Sequence, residues 1–170
     1  QELLDEIAKR GGIKGFICNE KGSGTDFLKK YGEESIEKNM PIVYTSADSV
    51  LQIAAHEDIV PIDELYNICE KAREICTGDW GVGRVIARPF NGEYPYQRTP
   101  RRHDYSLLPP ANTIADVLQE RGFETISVGK IYDIFAGKSL KKSNPTSSNA
   151  DGMEKTFQFS KEDFTGLCFT

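Results

Sequence analysis

Short runs of β-branched and aromatic residues alternate along this chain with amphipathic helical stripes, and that alternation restricts it to an α/β fold. PIVYTS, GRVIARPF and ETISV read as strands. Between them, Asp63 to Ile75 puts Leu65, Ile68, Cys69 and Ala72 on one face, with Cys76 just beyond, and Thr77-Gly78 ends the helix. LLPPAN is a proline-marked joint, because each proline forces its preceding residue toward extended backbone. Past it come helix (Thr113 to Arg121), strand (Thr125 to Val128) and a helical stretch (Ile131 to Phe135), the rhythm of a doubly wound sheet. The expected architecture is a small α/β domain over 1–108 followed by a partial doubly wound αβα core over 109–170.

The remaining segments give weaker signals. Glu2 to Arg10 reads as a helix ended by Gly11 and Gly12, and Ile13 to Cys18 as a strand. KGSGTD is a turn from which Thr25 could cap a helix through Phe27 and Leu28. In SVLQIAAHE, Val50, Ile53 and Ala54 have helical spacing, so 47–57 is expected to be a helix with Asp48 or Ser49 at its N-cap. That would put His56 on an apolar helix face, in a structural role. Lys138 to Asp151 is polar and rich in Ser and Asn, and is expected to be a mobile loop. Gly166 to Phe169 closes the second sheet. There is no internal repeat.

With 170 residues, 38% hydrophobic and 28% charged, the chain has the composition of a folded globular protein. A net charge of −5 argues against nucleic acid as a partner, since that requires an extended basic face. No apolar run approaches the ~20 residues of a membrane span, so no membrane partner is expected. The four cysteines show no metal-finger spacing. They are expected to be small buried thiols, consistent with a cytoplasmic location.

Against this acidic background the arginines are concentrated. Five of eight lie between Arg84 and Arg102, with no lysine among them and only Glu93 in opposition. Guanidinium presents a planar fork of donors that fits phosphate or carboxylate bidentately. Two readings are open: a solvated loop paired with acidic neighbours, or a pocket for a phosphorylated ligand. Arg84 and Arg88, four apart on a strand, share a face, and this calls for a bridging anion or an intervening acid. Arg98, Arg101 and Arg102 follow in a proline-containing turn, where His103 is expected to serve as a neutral hydrogen-bonding group. In TSADS, Ser46 and Asp48 could meet sugar hydroxyls or merely cap the next helix; the local pattern does not separate the two. Lys130, after Val128-Gly129, sits where a strand's C-terminal end could face phosphate, as a weak signal. No nucleophile triad, phosphate-binding glycine loop or metal-ligand cluster is visible.

PIVYTSADSVLQIAAHE, GVGRVIARPF, RTPRRHDYSL, SVGKIYDIFAGK and SNADGMEKT occur in this order and resemble bacterial phosphopentomutases, over roughly Pro41 to Thr156. The resemblance implies an alkaline-phosphatase-like metalloenzyme that interconverts ribose 1-phosphate and ribose 5-phosphate, or their deoxy analogues. In that family the reaction uses two manganese ions (Mn2+) and a phosphothreonine and passes through a sugar bisphosphate. It implies that 1–108 is a cap inserted in the core. Carried over position by position, it implies sugar-facing roles for Ser46 and Asp48, substrate contact by Arg84 and the backbone at Ile86, phosphate binding by Arg98, and a core contact from Lys130. The family's nucleophile and metal ligands fall outside the segments matched here. The chain, which stops within GLCFT, is therefore expected to be a piece of a longer enzyme that alone binds no catalytic manganese and turns nothing over. Two alternatives are a non-catalytic phospho-ligand module and a cofactor-independent phosphoglycerate mutase-like enzyme.

Overall fold

The computed structural model describes residues 1–46 and 48–170, which form two compact units, 1–105 and 106–170. The first unit runs α1 (Glu2–Gly11), β1 (Ile17–Lys21), α2 (Gly24–Lys38), β2 (Ile42–Thr45), β3 (Val50–His56), α3 (Ile62–Ile75), β4 (Arg84–Asn91), β5 (Gln97–Arg98) and β6 (His103–Ser106). The strands form one sheet in the order β1-β2-β3-β4-β5, with β6 also paired to β4. β1 with β2 and β3 with β4 are parallel; β2 with β3 and β4 with β5 are antiparallel.

Alternation along β2, β3 and β4 sends neighbouring side chains to opposite faces. Val43, Ile53, Val85 and Ala87 pack with Leu4 and Ile7 of α1 and with Leu65, Ile68 and Ala72 of α3. Ile42, Tyr44, Ala54 and Phe90 pack instead with Phe27 and Leu28 of α2. By the same period of two, Arg84, Ile86 and Arg88 share the face of Phe90. α2 lies over β1, β2 and β3, so this helix and the arginine strand divide that face between them.

The helix expected over 47–57 is a strand, β3. Ala47 lies outside the described residues, but Gln52 to His56 are all buried. β3 runs between β2 and β4 with helices on both faces. A strand covered on both faces loses its polar alternation, so its apolar run imitates helical spacing. Asp48 and Ser49 therefore cap no helix; they lie in the β2–β3 hairpin. His56 is on a strand, yet structural as expected: Nδ1 accepts from the Asp58 amide at 3.3 Å and Nε2 donates to the Gly92 carbonyl at 3.1 Å. The first strand begins at Ile17 rather than Ile13, and the N-cap of α2 is Ser23, not Thr25.

The second unit contains α4 (Ile114–Glu120), β7 (Glu124–Val128), α5 (Ile131–Ile134), β8 (Lys142–Asn144), α6 (Asn149–Phe159) and β9 (Gly166–Phe169). Its three strands are parallel, in the order β8-β7-β9. Residues 138–151 are not a loop throughout. β8 is held by the ladder to β7, by Ser127 Oγ donating to the Lys142 carbonyl at 2.9 Å and by Asn144 Nδ2 donating to the Ser127 carbonyl at 3.1 Å. α6 then starts at a Ser148 cap that accepts from the Asp151 amide. Cys69 and Cys76 are buried, whereas Cys18 and Cys168 are only half-buried. Exposed apolar side chains are prominent in this unit, with Ile114, Met153 and Phe157 at 63%, 65% and 63% exposure.

α4 is fixed by a capping box. Asp116 accepts from Ser139 Oγ at 2.6 Å, from the Thr113 amide at 2.6 Å and from Thr113 Oγ1 at 2.7 Å. These bonds, Ser139 first, hold its carboxyl well below its ordinary value of 3.8. A depressed carboxyl contributes stability that is complete above the ordinary value and is lost as pH falls toward the folded-state value. Acidification below pH ~4 should therefore destabilise this unit. Thermal melts of Asp116→Asn should be less stable at neutral pH and flatter through the acid range; parallel curves for variant and wild type would refute the assignment.

Candidate anion site

Four of the five clustered arginines converge, and Asp104 organises two of them. Arg102 donates to its carboxylate through Nε at 2.6 Å and Nη2 at 2.7 Å, a fork-to-fork pair, and Arg84 Nη1 donates at 3.3 Å. The Asp104 side chain is 7% exposed, while Arg84 and Arg102 are 28% and 32% exposed. Arg88 Nε donates to Gln52 Oε1 at 3.0 Å, across the parallel β3–β4 pair. Arg98, on β5, donates through Nη2 to Tyr44 Oη at 3.4 Å. Burial first, and then the neighbouring charges of Arg102 and Arg98, hold the Arg88 guanidinium below its ordinary value. Burial pushes the Tyr44 hydroxyl up, against the pull of Arg98 and Arg88. The group thus concentrates positive charge in a partly desolvated place, where an anion gains more from each contact than it would in open solvent.

Arg101 is the exception among the five. It pairs with Glu57, which also accepts from Thr99 Oγ1 at 2.6 Å. This clasp holds the RTP turn against the end of β3 and keeps Arg101 out of the cluster. His103 is exposed, its ring 4.5 Å from that of Tyr105 and 5.5 Å from that of Tyr66.

Ser46 and Asp48 lie at the sheet end where β4 begins. Thr45 Oγ1 donates to the Val50 carbonyl at 2.7 Å, and the Gly83 amide donates to the Ser49 carbonyl at 2.9 Å. Val50 is in register with Arg84. Ser46 is half-buried and Asp48 exposed, so hydroxyl and carboxylate edge the arginine strand. Ile86 is 2% exposed and offers no accessible side chain; it sits between Arg84 and Arg88 on their face. Lys130 is in the second unit, exposed, just past the C-terminal end of β7 and opening α5. There it borders a cavity of about 530 Å³ that Thr146, Ser148, Asn149 and Thr170 also line. Polar groups beyond the C-terminal ends of parallel strands are the usual ligand position of such sheets.

Sequence reading passed over Tyr44, Gln52, Asp104 and Gly24. The first two look like interior strand residues and Asp104 like one more loop acid. Only Gly24, in the SGT turn before a helix, left a local trace. Among the described residues, no group of three or more His, Cys, Asp or Glu side chains is placed to hold a metal ion. No helix among the described residues is long and apolar enough to cross a membrane.

Fold and site together define an α/β protein in which four arginines converge around one carboxylate, a tyrosine hydroxyl and a glutamine amide. No family model matches the chain. It is 58% identical over 170 residues to the phosphopentomutase of Lachnoclostridium phytofermentans, covering 99% of this chain and 43% of that protein. The phosphopentomutases of Carboxydothermus hydrogenoformans and Clostridium novyi are 53% and 48% identical over 171 residues, each covering 100% of this chain and 44% of the relative. The resemblance thus runs the whole length of the chain, past both limits of the Pro41 to Thr156 segment, and the relatives that carry it are phosphopentomutases. The chain spans less than half the length of these relatives.

Proposed function

We propose that this chain supplies the sugar-phosphate clamp of a phosphopentomutase, an isomerase that interconverts ribose 1-phosphate and ribose 5-phosphate or their deoxy analogues in the cytoplasm. The supporting observation is the convergence of Arg84, Arg88, Arg98 and Arg102 around Asp104, Tyr44 and Gln52. Arg98 and Arg84 take the phosphate, Ser46 and Asp48 meet the sugar hydroxyls, and the first unit acts as a cap. Lys130 is a substrate contact on the second unit, which is part of an alkaline-phosphatase-like core. In this reading the phosphothreonine and the two manganese ions are supplied by other parts of the enzyme. No step of phosphoryl transfer is assigned to the residues described here. A clamp of this kind suits chemistry through a sugar bisphosphate: it holds the distal phosphate while the other reacts, and keeps water from the phosphoenzyme.

Titration calorimetry with ribose 5-phosphate, ribose and inorganic phosphate tests the clamp. Ribose 5-phosphate should bind most tightly and lose affinity with added salt, and unphosphorylated ribose should show no measurable binding. Equal binding of ribose and ribose 5-phosphate would remove the arginines from the site. Interconversion of the two pentose phosphates by the complete, manganese-supplied protein tests the activity itself. Phosphate-dependent binding without turnover would favour the non-catalytic phospho-ligand module, and turnover of phosphoglycerate the phosphoglycerate mutase-like alternative; nothing observed favours either.

A further inference from the structure

We propose that Tyr44 and Gly24 are positioning residues that set the aim of Arg98. The inference rests on Arg98 binding the substrate phosphate, as proposed above. Arg98 needs such a device. It sits on a two-residue strand at the sheet margin, and its residue is exposed. A long arginine side chain there samples many rotamers, so fixing it in a productive one would cost a ligand binding free energy.

The structure provides a rigid partner for it. Tyr44 is 2% exposed, its ring locked in the second core cluster 5.4 Å from that of Phe27. Its hydroxyl accepts from Arg98 Nη2. This contact engages one of the five guanidinium donors and leaves the rest available for an anion. Burial keeps the hydroxyl neutral, so it orients the guanidinium without cancelling its charge.

Gly24, buried at the first position of α2, makes room for the pair. A Cβ built there would run into Arg98 Nη2 and Tyr44 Oη and would lie 2.7 Å from Tyr44 Cζ. The guanidinium could swing aside, but the core-locked ring could not. A side chain at 24 therefore displaces Arg98 from its seat or strains the ring beside it. Glycine is required here by close approach and not by a left-handed backbone.

The test is a double-mutant cycle in the complete protein, with Tyr44→Phe, Arg98→Ala and the pair, read as kcat and KM for ribose 5-phosphate beside thermal melts. Phenylalanine keeps the buried ring and removes only the hydroxyl. Tyr44→Phe should raise KM between about twofold and tenfold, the range for one lost hydrogen bond, with kcat little changed. In the Arg98→Ala background the same change should have no further effect. Gly24→Ala should raise KM by at least as much, and Gly24→Ser should not rescue it. A wild-type KM for Tyr44→Phe would overturn the proposal, as would an equal loss with and without Arg98. If Arg98→Ala itself leaves KM and kcat unchanged, the phosphate assignment fails and this inference falls with it. If Arg98→Ala weakens binding while Tyr44→Phe is silent, only this inference falls.

Discussion

Replacing Arg98 by alanine in the complete protein is expected to weaken sugar-phosphate binding by roughly 1.5–3 kcal/mol, or about 10- to 150-fold, the scale of a hydrogen bond to a charged group. Arg98 is expected to carry this much because it is the least committed of the four converging arginines. Arg84 and Arg102 already face Asp104, and Arg88 faces the Gln52 amide. The described contact of Arg98 is one neutral phenol, so its charge remains available to a ligand. Its loss should leave the melting temperature nearly unchanged, because its residue is exposed and its strand is two residues long. Affinity for ribose 5-phosphate, measured by calorimetry at two salt concentrations, checks this. An unchanged dissociation constant would transfer the phosphate to another part of the cluster.

The second large effect is on stability. Asp104→Leu should destabilise the first unit by about 2–3 kcal/mol, below the 3–5 kcal/mol for breaking a fully buried pair because the two guanidinium groups remain partly solvated. That corresponds to a fall in melting temperature of roughly 10–20 °C for a domain of this size. The leucine would leave Arg84 and Arg102 facing each other, with Arg88 close by, without the carboxylate they share. Added inorganic phosphate should recover part of the loss, since an anion in the cluster replaces the missing negative charge. A melting temperature equal to wild type would mean that the arginines are held by other contacts.

How much of this was legible before the fold was known depends on the range of the interaction involved. α3 was visible at nearly its full extent because a helix buries a stripe whose spacing is written locally in Leu65, Ile68, Cys69 and Ala72. β3 was misread because its identity depends on pairing with β2 and with the distant β4, and burial on both faces removed the alternation that marks a strand. β8 was missed for the opposite reason. Lys142–Asn144 is too short and polar to show any pattern, and pairing with β7 alone makes it a strand. The start of α6 did carry a signal, since Ser148 and Asp151 stand three apart as a cap and its partner, within a segment whose composition suggested a loop.

The site divides in the same way. From the sequence alone came the α/β class, the cationic concentration between Arg84 and Arg102, the shared strand face of Arg84 and Arg88, and the ordered motifs of the phosphopentomutases. All of these depend on residue identity and short-range periodicity. Tertiary structure decided which arginines converge. Arg101, adjacent to Arg102 in the chain, turns to Glu57, while Arg102 turns to Asp104. It also brought Tyr44 and Gly24 to Arg98, 54 positions beyond Tyr44 along the chain. Charge clusters can be read along a chain, but the direction in which each guanidinium points is set by buried partners that only folding brings beside it.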